Sequence, residues 1–173
     1  RRILQATLEN VEVPCVVDAD GLNLLSAHSR YMKNLVRGQF IFTPHMKEMS
    51  RITRKSVEEL RNSRMEILKQ FAGEYDVTCV LKDARTCIFS PGEHPFVNLS
   101  GNAAMAKAGS GDVLAGVITG LLAQKMSCFD AAVLGVYLHG LAGDEAKREK
   151  GSYSVLARDL AENIGTVLKR LEE

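Results

Sequence analysis

Gly109, Ser110 and Gly111 run directly into Asp112 and then into the apolar stretch Val113 to Ile118. A small-residue loop feeding a buried helix leaves the first backbone N–H groups of that helix unpartnered, and together with the helix dipole they favour an anion. Glycine lets the backbone approach a phosphate closely and take a positive φ where the turn demands it. A carboxylate in that first turn would sit beside the phosphate, placed to take a proton from an attacking hydroxyl. The same four residues also suit an ordinary glycine turn with Asp112 as a helix-start carboxylate. The motif therefore names a chemistry, phosphoryl transfer, without securing it.

Three further polar groups fall at the carboxyl ends of apolar runs. Asp18-Ala19-Asp20 follows Pro14 to Val17, Thr43-Pro44-His45 follows Phe40 to Phe42, and Lys82-Asp83 follows Val77 to Leu81. In open α/β sheets ligands bind at that edge, so the three would converge on one crevice. Lys82 and Arg85 suit a nucleotide's phosphates or ribose, or a plain surface turn. Asp18 and Asp20 suit either a metal-bound water or a helix cap. Asn98-Leu99-Ser100-Gly101-Asn102 is turn chemistry that, beside an anion-binding helix start, would order the phosphate loop. His139, in an apolar helical stretch, reads as a satisfied core histidine, and its separation from Asp144 does not fit a helical metal pair. Lys147 to Lys150 reads as a solvated helix end.

The elements that must hold these groups alternate. Thr86 to Phe89 and Phe96 to Asn98 read as an antiparallel hairpin after the three strands above. Ser56 with Glu59 forms a capping box opening a helix that runs to Gly73. Asp112 to Gln124 and Cys128 to Ala142 are apolar on most sides, as helices buried against a sheet are. Leu156 to Leu171 is amphipathic. Strands alternating with helices predict an α/β layered fold with a mostly parallel sheet.

The 173 residues suit one domain, and 46% hydrophobic with 25% charged residues predicts a folded core. A formal net charge of +1 argues against a nucleic-acid binder or a basic membrane-surface protein. No apolar run is long enough to span a bilayer. The four cysteines lack metal-ligand spacing and read as reduced thiols of a cytoplasmic protein.

Taken in order, Val16 to Asn23, Phe42 to Glu48, Leu81 to Ala84, Ser100 to Gly116, Tyr137 to Asp144 and Ala157 to Leu160 resemble the ADP/ATP-dependent NAD(P)H-hydrate dehydratase family, a branch of the ribokinase-like fold. The resemblance runs over nearly the whole chain. It implies a three-layer fold with a mostly parallel central sheet flanked by helices. Residues 1–173 would be the C-terminal portion of a single domain whose N-terminal part is missing, and the piece alone would be unstable or inactive. The implied reaction is repair of NAD(P)H-hydrate: ADP or ATP phosphorylates the ring hydroxyl, and phosphate then leaves. On this resemblance Asp112 is the base and a substrate contact, and His45 is a second substrate contact. Lys82, Asp83, Ala84, Arg85, Thr86, Asn102, Gly109, Ser110 and Gly111 contact the nucleotide, and Mg²⁺ arrives with it rather than in a protein-only metal site. The implied partners are further copies of the chain and either the missing N-terminal half or a fused epimerase domain. Asp83 and Ala108 each stand where the family usually has glycine. A ribokinase-like small-molecule kinase and a non-catalytic half-domain are the alternative expectations.

Overall fold

Short β-branched and aromatic runs, each closed by polar residues, force strands too short to stand alone, and they pair into one sheet. The computed structural model describes residues 2–172. Strands β1 (Cys15–Val17), β2 (Phe40–Phe42), β3 (Thr78–Leu81), β4 (Cys87–Phe89) and β5 (Phe96–Val97) lie side by side in chain order. The first three are parallel, with Cys15 opposite Phe40 and Ile41 opposite Thr78. β4 and β5 add on antiparallel, Val80 facing Ile88 and Ile88 facing Phe96. The sheet is therefore mixed, its parallel part carrying the polar strand ends.

Alternation along the strands splits the core in two. Phe40, Phe42, Cys79, Leu81, Cys87 and Phe89 pack on one face with Leu22, Leu25, Met49, Leu60 and Leu68. Those partners come from α2 (Asp20–Ala27), α3 (Met46–Thr53), α4 (Val57–Asn62) and α5 (Arg64–Tyr75), and α1 (Arg2–Asn10) adds Leu8. Ile41, Val80 and Ile88 face the other way, against Leu114, Ile118 and Val136 of α6 (Ser110–Ala123) and α7 (Cys128–Ser154). α8 (Ala157–Glu172) packs on α7 through Leu138, Ala142 and Val167. These are the three expected layers.

Several boundaries differ from the sequence reading. The Ser56 capping box forms, with the Glu59 amide donating to Ser56 Oγ at 3.1 Å and the Ser56 amide to Glu59 Oε2 at 2.7 Å. The single helix expected from it is instead two, because Ser63 leaves the helical region at φ −133°. Asn62 and Ser63, whose side chains compete with helical hydrogen bonds, stand at that break. α6 begins at Ser110, two residues before Asp112. α7 continues beyond Ala142 until Gly151, at φ 73°, interrupts it, so Lys147 to Lys150 does close its regular part.

Two surfaces stand open. Among the described residues β1 has a sheet neighbour on one side only. α6 leaves Asp112, Gly116, Thr119, Gly120 and Ala123 exposed along its outer face. No helix of the described residues is long and apolar enough to cross a membrane.

The α7–α8 corner is held by buried acids. Asp159, 2% exposed, accepts from Lys150 Nζ at 2.6 Å and from the Leu156 amide at 2.9 Å. The Lys150 bond foremost, then the amide, hold its carboxyl below the usual range. A depressed acid contributes stability that is complete above the unfolded value, about pH 4, and lost as pH falls toward the folded value. Asp159→Asn should therefore lower the melting temperature by roughly 4–8 °C at pH 7, and the gap from wild type should close below about pH 4. Thermal melts across pH 3 to 8 check this.

Candidate functional site

The start of α6 is built from its glycines. Gly109 sits at φ 86°, a left-handed conformation that side chains rarely adopt, and turns the chain into the helix. The Ser110 amide reaches only the Lys107 carbonyl, at 3.3 Å, while among the described residues the amides of Gly109, Gly111 and Asp112 have no backbone acceptor. Amides left open at a helix N-terminus form an anion site. Lys82 closes it from the end of β3. A Cβ at position 111 would lie 3.3 Å from Lys82 Nζ and 3.6 Å from Asp18 Oδ2, so only glycine lets the lysine come this near.

The polar strand ends converge as the sequence implied. Lys82 Nζ donates to Asp18 Oδ1 at 2.7 Å, with both side chains largely buried, joining β1 to β3 above the sheet. The Lys82 amide donates to the Pro44 carbonyl at 2.8 Å, and His45 bridges Lys82 in parallel fashion, extending the sheet by one rung. His45 itself caps α3. Its Nδ1 accepts the Lys47 and Glu48 amides at 3.1 Å each, and its own amide donates to Glu48 Oε2 at 2.8 Å.

A cavity of about 850 Å³ opens over these groups, within the usual range for cofactor sites. Lys82, Asp83, Ala84, Arg85 and Thr86 form one wall. Asn98, residues 100–103 and residues 105–107 form the facing wall, Ser110, Gly111 and Leu114 come from α6, and His45 stands at one side. Every expected nucleotide contact except Gly109 lines it. Asp112 does not line it either: it is exposed on the outer face of α6, beside the cavity rather than in its wall. The extra carboxylate of Asp83 lies 3.9 Å from Arg64 Nη1, so α5 supplies a counter-charge.

The wall at 98–102 is hung on α7. Asp144 accepts from the Gly101 amide at 2.9 Å and from Asn102 Nδ2 at 2.8 Å, and Asn102 Oδ1 accepts the Ala104 amide at 3.0 Å. Gly140 and Gly143 permit this approach, since a Cβ at either would collide with Ser100 or Met105. The turn residues thus order the wall, as expected of them beside an anion site.

His139 fits the core-histidine reading, and the structure adds its place at the cavity. It is buried, as expected, yet it lines the cavity, with Nε2 3.4 Å from Ser110 Oγ. Burial foremost pushes its pKa down to about 4, against a hydrogen bond to the Ser110 backbone and with a contribution from the Lys82 charge. The ring is neutral at physiological pH. The only sequence signal was its position in Tyr137 to Asp144, beside two glycines on one helix. Among the described residues no three His, Cys, Asp or Glu side chains cluster as a metal site.

Comparison with known proteins agrees with this geometry. A family model described as NAD(P)H-hydrate dehydratase matches residues 2–166. A bifunctional NAD(P)H-hydrate repair enzyme of Moorella thermoacetica is 42% identical over 171 residues, 99% of this chain and 32% of its own length. An ADP-dependent (S)-NAD(P)H-hydrate dehydratase of Neisseria meningitidis is 40% identical over 156 residues, 88% of this chain and 52% of its own. The structure of an ADP/ATP-dependent NAD(P)H-hydrate dehydratase from Bacillus subtilis, co-crystallised with ATP and Mg²⁺, matches with a TM-score of 0.77 at 31% identity, covering 91% of this chain and 55% of that one. A ribokinase-like superfamily protein from Enterococcus faecalis gives 0.81 at 32% identity, covering 98% of this chain and 57% of that one. The fold is therefore ribokinase-like. The chain spans a third of the bifunctional relative and about half of the other three.

Gly109→Ala should test the loop. The new Cβ would meet Ala157 Cβ at 3.1 Å while forcing alanine into a left-handed φ, a strain of about 1–2 kcal/mol. Nucleotide affinity measured by calorimetry should fall by roughly tenfold or more, with a small drop in melting temperature.

Proposed function

Since the chain belongs to the NAD(P)H-hydrate dehydratase family, we propose that it acts in the ADP- or ATP-dependent dehydration of (S)-NAD(P)H-hydrate back to NAD(P)H. One observation carries this reading: the open amides and Asp112 at the start of α6 stand directly beside a nucleotide-sized cavity walled by Lys82 to Thr86 and by residues 98–107. The Asp112 carboxylate takes the proton of the ring hydroxyl as its oxygen attacks the terminal phosphorus of ADP or ATP. A P–O bond to the ring oxygen forms, and AMP or ADP leaves with the electrons of the P–O bond that breaks. The ring C–O bond then breaks, phosphate carries off that electron pair, and a proton lost from the neighbouring carbon leaves the restored double bond. Gly109, Ser110 and Gly111 stabilise the transferring group through the anion hole, helped by Lys82.

Mg²⁺ would be carried in with the nucleotide, its phosphates the main ligands, and the exposed carboxylate of Asp112 is the group at the α6 start that would reach it. Bound there, it supplies neutralisation of phosphate charge. His45, on the cavity's edge, serves as a substrate contact as well as the cap of α3.

Residues 1–173 are, on this proposal, the C-terminal portion of a longer dehydratase domain. The open edge of β1, the exposed outer face of α6 carrying Asp112, and the half-length match to the single-activity relatives support this. The remaining part, alone or with a fused epimerase domain, and further copies of the chain are its proposed partners. Four free cysteines, two of them buried, suit a cytoplasmic setting.

The test is to incubate the protein with hydrated NADH or NADPH, Mg²⁺ and ADP or ATP, and to follow the return of dihydronicotinamide absorbance. Nucleotide-dependent recovery with release of inorganic phosphate is expected. Asp112→Asn should lower turnover by about 10²–10⁴-fold while leaving ADP binding close to wild type. A stable phosphate ester in place of phosphate release would point to a kinase instead. No recovery even with an upstream half supplied would sink the reading.

A further inference from the structure

The helix that hangs the cavity wall also reaches the start of α6, through His139. His139 lies on α7 immediately before Gly140, where Ser100 packs. Its imidazole Nε2 is 3.4 Å from Ser110 Oγ. Ser110 is the first residue of α6, between Gly109 and Gly111. The glycines on either side give this turn freedom that a phosphate site cannot use, because an anion hole works only when its donors are fixed before the charge develops.

We propose that His139 is a positioning residue: its imidazole clamps Ser110 from α7 and so fixes the direction in which the first-turn amides and the Asp112 carboxylate point. The proposal rests on the dehydratase reading for the reaction, but its geometry concerns only the anion site. A neutral imidazole carries one donor and one acceptor nitrogen, and either suits a hydroxyl, which can donate or accept. Lys82, whose charge acts on the ring, is itself paired with Asp18, so Ser110 meets the ring through a hydrogen bond rather than through a free cation. A bare histidine filling core space would need no partner on α6. This one, 8% exposed, is turned to the cavity and to the loop.

A double-mutant cycle between His139 and Ser110 tests the clamp, read by ADP calorimetry on the full chain and, where turnover is measurable, by kcat and KM separately. His139→Leu should weaken ADP binding or lower kcat by about tenfold or more with a cooperative melt retained. His139→Gln, which keeps a hydrogen-bonding nitrogen, should stay within about threefold of wild type. The pair His139→Leu with Ser110→Ala should be no worse than the poorer single variant, because both remove one interaction. Penalties that multiply overturn the clamp, as does a His139→Leu variant within twofold of wild type in affinity and kcat. Should His139→Leu fail to fold, Ser110→Ala and His139→Gln decide: loss in the first with retention in the second supports the clamp, and any other result overturns it. A wild-type chain that binds ADP but restores no NAD(P)H defeats the dehydratase reading alone, and the affinity cycle still decides the clamp. A chain that binds no ADP defeats both.

Discussion

The first backbone amides of a helix have no partner within it and must meet a side chain, water or a ligand. The first turn of α6 holds three, and the rest of the molecule is arranged around that constraint. Gly109 takes the left-handed φ that swings the chain into the helix, and Gly111 lets Lys82 Nζ lie closer than a Cβ would comfortably allow. Lys82 is in turn held by Asp18 at 2.7 Å, so two strand ends are joined directly against the start of α6. The pair does more than neutralise the lysine. It keeps a cation poised at the site before any anion is bound, and that cation completes a field already supplied by the helix terminus.

The second constraint is that the cavity's two sides must be aligned with each other. Lys82 to Thr86 is fixed by the sheet, since β3 and β4 flank it. The 98–102 wall leaves the sheet once the Asn98 amide has bonded the Thr86 carbonyl at 2.9 Å, and α7 supports the rest of it. Asp144 grips Gly101 and Asn102, while Gly140 and Gly143 let that loop lie against the helix. One rigid helix therefore sets the distance from the wall to the start of α6, which a chain of flexible loops would not.

What could be read from the sequence was whatever depends on local pattern. Apolar runs such as Phe40 to Phe42 with polar terminators gave strands and their converging polar ends, and the glycines around Ser110 gave the helix start with open amides. Helix continuity was harder. The break at Ser63 and the extension of α7 to Gly151 turn on a few dihedral angles that amphipathic spacing does not encode. α1 and α3 escaped notice because each is short and buries few side chains, Leu8 in one and Glu48 with Met49 in the other. His139 is the satisfied core histidine that the sequence implied, but its place in the cavity wall could not be read, because a buried histidine in an apolar helix looks the same in sequence whether its ring meets leucine or a polar loop. Likewise nothing local shows that His45 caps α3 with its ring nitrogen or that Arg64, nearly twenty positions away, answers the charge of Asp83.

The site is also lopsided in a way that bears on its chemistry. The nucleotide side is walled by residues this chain supplies, whereas Asp112 lies on the exposed face of α6 with Gly116, Thr119, Gly120 and Ala123 behind it. A hydroxyl that gives its proton to Asp112 must approach from that outer face. On the dehydratase reading, the ring hydroxyl is met on that outer face, with His45 at the cavity's edge as a further substrate contact, and the groups that hold the nucleotide come from the cavity itself. Nucleotide recognition and ring recognition are then separable in space, joined only through the single turn from Gly109 to Asp112. That turn has to stay rigid between the two, which is why its glycines need a neighbour such as α7 to hold them.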